Sequence, residues 1–194
     1  MMSFNEYMGE IDVSDLRQMF LKTGKLVKLK KADFFIRQDY PCKYIGFIES
    51  GAFRYSRVDG NGNEHIVGYS FVEDFVCDYP SIIKKTNSFA NAQAVTDSVV
   101  YVISVNDLND YWDTNMVNQR LGRIIAEHMF VEMYGRLLGF YCDNAEQRYV
   151  KLLERCPNLP RYITLKEIAS FLAVTPETIS HIRRKIKQKT KILK

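Results

Sequence analysis

Three kinds of hydrophobic pattern follow one another along the chain. Residues 1–24 read as helical, with Leu16, Met19 and Phe20 on one face and Asp12 to Ser14 as candidate caps. From Leu26 to about Ile103 short β-branched and aromatic runs alternate with turn residues, at 44–49, 52–58, 64–71, 92–95 and 99–103. Asp59-Gly60-Asn61-Gly62-Asn63 is the clearest hairpin turn, because Gly and Asn tolerate positive φ. Ser50-Gly51 marks a second turn. Several short strands at this spacing predict a β sandwich, roll or barrel.

Past Asn115 the period becomes helical. Val117, Leu121, Ile124, Ile125, His128, Met129, Leu137, Leu138 and Tyr141 recur at steps of three, four or seven, and 118–141 contains no Pro. A helix of about 25 residues is long for a small domain. An apolar seam on such a helix predicts a dimer interface, with Leu121, Ile125, His128 and Met129 on it. The other use of such a seam is packing on the chain's own β domain. Asp143 or Asn144 caps a further helix over 145–155, with Tyr149, Val150, Leu152 and Leu153 as its buried residues. Cys156-Pro157-Asn158-Leu159-Pro160 then breaks the chain.

The last segment carries the sharpest signal. Thr164-Leu165-Lys166-Glu167 reads as a capping box opening a short helix with Ile168, Ala169, Phe171 and Leu172. Thr175 caps a second helix with Pro176 at its first position, where a missing N–H costs nothing. Two short helices joined by a tight turn allow the second to enter a major groove. Ile179, Ile182 and Ile186 share the inward face. Glu177, Ser180, His181 and Arg184 share the outward one. Pro176, Glu177, Ser180 and His181 are the candidate base contacts, and Glu can accept from a cytosine amine. Thr164, Thr175, Arg183, Arg184, Lys185 and Lys187 are the candidate phosphate contacts.

Charge sharpens this picture. Residues 161–194 hold nine Lys/Arg against two acids, a net +7, which leaves eighteen basic against twenty-one acidic residues elsewhere, a net −3. A weakly acidic body with a basic end predicts a polyanion partner at that end. Composition adds less: 194 residues, 46% hydrophobic and 26% charged, are ordinary for a globular chain. No apolar run is long enough for a membrane span, and Met1-Met2-Ser3-Phe4-Asn5-Glu6 lacks the pattern of a signal peptide, so the expected location is cytoplasmic with no membrane partner. Cys42, Cys77, Cys142 and Cys156 form no C-x-x-C pair and sit near no His at ligand spacing, which predicts reduced, structural thiols and no metal site.

Residues 163–180, Ile-Thr-Leu-Lys-Glu-Ile-Ala-Ser-Phe-Leu-Ala-Val-Thr-Pro-Glu-Thr-Ile-Ser, resemble the helix-turn-helix of the Crp/Fnr transcription regulators. The resemblance extends over about nine-tenths of the chain. The strand-rich stretch resembles that family's cyclic-nucleotide-binding-type roll, and the helix from about Asn115 its dimerisation helix. The resemblance implies a non-enzymatic homodimer that binds two-fold symmetric double-stranded DNA, responds to an effector in the roll and works with RNA polymerase. Three departures stand out. His181 replaces the guanine-reading Arg common in the family. Ala173 stands where the turn usually has Gly. No β-hairpin wing is evident after the recognition helix, where Lys187-Gln188-Lys189-Thr190-Lys191 follows instead.

The effector cassette departs further. Family members that bind cyclic AMP hold its ribose with Gly-Glu and its phosphate with Arg-Ser. Aligned through Asp74-Phe75, these positions are Cys77-Asp78 and Ser88-Phe89 here. Between Arg57 and Arg120 the only cations are Lys84, Lys85 and, if protonated, His65. A buried phosphate without a paired cation is costly. Cys77, Asp78, Lys84, Lys85, Ser88 and Phe89 therefore mark an altered effector pocket, with no cyclic AMP, no cofactor and an unknown small-molecule effector expected.

The expected fold class is α+β: an N-terminal antiparallel β roll of the cupin-like jelly-roll kind over 1–114, a long dimerisation helix over 115–142, and an all-α helix-turn-helix domain without an evident wing over 143–194. Two other readings differ in kind. One is a ligand- or protein-binding module that uses the roll. The other is a cupin-like metalloenzyme, for which His65, His128 and His181 are too scattered to make a ligand set.

Overall fold

The computed structural model describes residues 4–192. Met1, Met2, Ser3, Leu193 and Lys194 lie outside the described residues, as do the side chains of Glu6, Tyr7, Lys189, Thr190, Lys191 and Ile192. The described residues form two compact units, one ending at Tyr134 and one beginning at Gly135.

The first unit is built on eight short strands: β1 (Lys25–Leu29), β2 (Phe34–Ile36), β3 (Tyr44–Ser50), β4 (Phe53–Val58), β5 (Glu64–Ser70), β6 (Phe75–Val76), β7 (Asn91–Ala94) and β8 (Ser98–Ser104). They make two four-stranded antiparallel sheets, in the orders β1-β8-β3-β6 and β2-β7-β4-β5. Side-chain alternation assigns the faces. Ile48 and Val100 point into a core shared with Phe53, Val76, Ala92 and Ala94. Their neighbours Phe47 and Ile103 point the other way, into a second core with Leu16, Phe20 and Leu108. The helices α1 (Ser14–Thr23) and α3 (Val105–Asp113) contribute to that second core. Burial on both faces explains why β3 shows four consecutive buried residues rather than a clean alternation.

The predicted hairpin at 59–63 joins β4 to β5. The Asp59 carboxylate accepts the N–H groups of Asn61 and Asn63, and Gly62 supplies φ 83. His65 sits on the exposed strand surface, 2.9 Å from Asp59.

Two helices carry no clear signal in the sequence. One is α2 (Tyr79–Lys84), with Pro80 in its first turn. The other is α3, whose capping box pairs Ser104 with Asp107 rather than with Glu or Gln. After α3 comes α4 (Met116–Cys142), a 27-residue helix. On the predicted seam, Leu121 and Ile125 are partly buried and pack against the core under the outer face of the sheet, His128 lies 3.2 Å from Glu10, and Met129 is half-buried. Further apolar residues of the helix face outward, among them Phe130 and Val131, each 68% exposed, and Met133, Tyr134 and Leu137.

In the second unit, Asn144 is the residue that caps α5 (Ala145–Arg155), in a full capping box with Gln147. The chain then forms α6 (Leu165–Phe171) and α7 (Pro176–Ile192). Tyr149, Leu152, Cys156, Leu159, Ile168, Ala169, Leu172, Ile179 and Ile182 are all buried there.

Candidate nucleic-acid interface and altered sensor pocket

The α6–turn–α7 unit forms as its caps dictate. The Thr164 hydroxyl accepts the Glu167 N–H, and the Glu167 carboxylate accepts the Thr164 N–H in return. Thr175 Oγ1 accepts the Thr178 N–H at the start of α7. Between them Ala173 takes φ 53, left-handed backbone on a residue with a Cβ. The sequence departure at the turn is thus a position of real backbone strain.

Ile179 and Ile182 seat α7 on the domain, 0% and 5% exposed. That seating leaves Glu177, His181, Arg183 and Arg184 exposed, with Ser180 and Pro176 half-buried. Glu177 lies in the first turn of α7. Its carboxyl is held below the ordinary Glu value, first by its own backbone N–H and then by the Thr175 hydroxyl, so it is ionised at neutral pH. Lys185, a candidate phosphate contact, reaches Glu146 on α5 at 2.5 Å. Burial pushes the Tyr149 phenol up, and the nearby Arg183 opposes that shift. Among the described residues, Arg184 and Lys187 form no ion pair and face solvent.

The altered pocket residues come together in the roll around α2. Asp78 is the N-terminal flanking residue of α2. Its carboxylate accepts the Phe89 N–H. Arg57, on β4, donates to the Phe89 carbonyl oxygen. Burial pushes the Asp78 carboxyl up, opposed by the Phe89 and Ala90 N–H groups and by Arg57. Cys77 is half-buried as a residue and packs against the second core, and desolvation pushes its thiol up to about 12. Lys84 places its ammonium 5.8 Å from the Phe89 ring centre. Lys85 ends α2 in left-handed backbone and lines a separate surface concavity. The structure therefore joins Asp78, Phe89 and Lys84 with Arg57, while the Ser88 backbone pairs with Tyr40 and Asp39. Sequence reasoning missed Arg57, because it lies far along the chain and only the β4–β7 pairing brings it near.

Residues 26–115 match the model of the cyclic nucleotide-binding domain. Solved structures agree over most of the chain. FixK2 from Bradyrhizobium japonicum is 16% identical, with a TM-score of 0.73 over 87% of this chain and 86% of that one. A mutant of CooA from Carboxydothermus hydrogenoformans is 15% identical, with a TM-score of 0.68 over 96% and 84%. A protein from Eubacterium rectale assigned to the crp/fnr family of transcriptional regulators is 15% identical, with a TM-score of 0.67 over 93% and 86%. This is the Crp/Fnr fold. No curated protein sequence matches the chain.

Within the Crp/Fnr fold, the nucleotide cassette can be tested on this chain's own atoms. A cyclic nucleotide needs a cation for its phosphate and a small hydroxyl beside it. Here the backbone of Phe89 is held at both ends, its N–H by the Asp78 carboxylate and its carbonyl oxygen by Arg57, which brings a cation to this stretch. Among the described residues no helix is long and apolar enough to cross a membrane, and no three His, Cys, Asp or Glu side chains converge as a metal site.

Proposed function

We propose that the chain is a sequence-specific, DNA-binding transcription regulator of the Crp/Fnr type, non-enzymatic and cytoplasmic, acting as a homodimer on two-fold symmetric DNA. The observation that carries this reading is α7: a helix seated by buried isoleucines that holds Glu177, His181 and Arg184 in solvent. In this reading Pro176, Glu177, Ser180 and His181 meet base edges. Thr164, Thr175, Arg183, Arg184 and Lys187 meet phosphates, and Lys185 contributes by holding α5 through Glu146. The basic end of the chain supplies the long-range attraction.

The dimer reading rests on the outward face of α4. Phe130 and Tyr134 stack one helical turn apart, with ring centres 6.0 Å apart, while both remain largely exposed. A run of large apolar side chains on one helix marks a protein contact, and a second copy of the same helix satisfies it symmetrically. RNA polymerase is the further partner that this class of protein implies. In this reading the effector is other than cyclic AMP, because Phe89 aligns where the family's cassette has a small hydroxyl and its backbone is tied to Asp78 and Arg57. Selection of bound sequences from random duplex DNA by the intact protein tests the reading.

A further inference from the structure

A second concavity lies outside the roll, at the far end of α2. Its walls are residues 41–44 leading into β3, the end of α2 with residues 85–87, and the first turn of α3, around about 530 Å³. These walls are tied to one another. Pro41 and Asn87 form an antiparallel bridge, the Ser88 N–H donates to the Tyr40 carbonyl, and the Val105 N–H donates to the Lys43 carbonyl at 3.0 Å. Lys85 closes α2 at φ 53 and ψ 43, which turns the chain back to build one wall. None of the altered cassette residues Asp78, Ser88 and Phe89 lines it.

The chemistry of the lining is one-sided. Lys43 and Lys85 line it on different walls, and no Asp or Glu lines it. Among the described residues neither ammonium has a hydrogen-bond or ion-pair partner. Two uncompensated like charges on one concavity favour an anion between them. Thr86 and Asn106 add neutral hydrogen-bonding side chains, while Ile82 and Val105 add apolar surface. Few polar groups on a partly apolar concave wall are what a small ligand requires.

We propose that this concavity binds a small organic anion, with its carboxylate or phosphate head on Lys43 and Lys85 and its apolar body on Ile82 and Val105. A ligand there joins the end of α2 to the start of α3, and α3 leads directly into α4. The site thus gives the sensor domain an effector position separate from the altered cassette. That regulatory meaning rests on the regulator reading. The binding itself does not, so its failure leaves DNA binding untouched.

The test is a nuclear magnetic resonance titration of the intact protein with phenyl phosphate, inorganic phosphate and benzyl alcohol. Phenyl phosphate should give saturable shifts at the amides of residues 41–44, 81–87 and 104–106. Inorganic phosphate should shift the same amides more weakly, and benzyl alcohol should not saturate them. Lys43→Gln with Lys85→Gln should weaken phenyl phosphate at least about tenfold, while Lys84→Gln, on the Phe89 side, should not change it. Both lysines are exposed, and an otherwise unchanged spectrum shows that the double variant is folded. Absent saturation, unchanged affinity in the double variant, equal affinity for inorganic and phenyl phosphate, or shifts centred on Arg57, Asp78 and Phe89 would each overturn the proposal.

Discussion

The Asp78 carboxylate holds the backbone N–H of Phe89, in the stretch where a nucleotide-binding roll presents its phosphate contacts. Arg57 holds the carbonyl of the same residue. The loop after α2 is therefore fastened by the protein's own charges. Asp78→Ala should cost about 1–3 kcal/mol of unfolding free energy, because it leaves a partly buried N–H unpaired and Arg57 without its neighbour. Calorimetry with cyclic AMP should show no micromolar binding by the native protein. Micromolar affinity would mean that Phe89 moves aside and that the loop is not closed.

Asp74 gives a pH signature. It is 4% exposed, accepts the N–H of Phe71 and the side-chain amide of Asn5, and feels the Glu132 carboxylate from α4. Burial raises its pKa from 3.8 to about 7, so the folded state holds a proton that the unfolded chain releases. The unfolded state binds fewer protons between those values, and stability falls as pH rises through that window. Asp74→Asn keeps an oxygen to accept the Phe71 N–H and removes the titration. The stabilities of the two proteins, read by urea denaturation, should lie close at pH near 4 and separate by pH near 8 in favour of the variant, by roughly 2 kcal/mol or more. Parallel curves would show that Asp74 does not carry the proton.

Ala173 offers a stabilising change. Its φ of 53 strains any residue with a Cβ. Ala173→Gly should raise the unfolding free energy by about 1 kcal/mol, read by urea denaturation. A loss of stability would mean that the Ala methyl packs favourably enough to outweigh the strain.

The two apolar sides of α4 should separate by assay. Phe130→Asp with Tyr134→Asp should shift the protein towards monomer in sedimentation velocity while leaving its fold intact. Leu121→Ala should cost about 2 kcal/mol of stability instead, because Leu121 packs on the core. If the Leu121 variant alone dissociates the protein, the self-association face lies where the sequence periodicity placed it.

Local chemistry explains what the sequence revealed. Thr164, Glu167, Thr175, Pro176 and the isoleucines Ile179 and Ile182 specify α6 and α7 within about twenty neighbouring residues, so the motif is readable without tertiary context. Asp59 to Asn63 specify their hairpin in the same way. Long-range packing hid the rest. The burial pattern of β1 is mostly exposed, since it is an edge strand, and it gives no alternating signal. The short α2 has no side-chain cap to announce it. The helix α4 is apolar on both sides, and periodicity alone does not say that Leu121 and Ile125 belong inward while Phe130 and Tyr134 face outward. Lys185 looks like its basic neighbours in the sequence, and only folding brings Glu146 to it.

Selection from random duplex DNA by the intact protein, with and without Glu177→Ala, tests the central claim most directly. The native protein should enrich a two-fold symmetric site with half-site centres about one helical turn apart, about 10 base pairs. The Glu177 variant should enrich the same symmetry with discrimination reduced about tenfold at one position in each half-site. No enrichment, or a site without two-fold symmetry, would contradict the account.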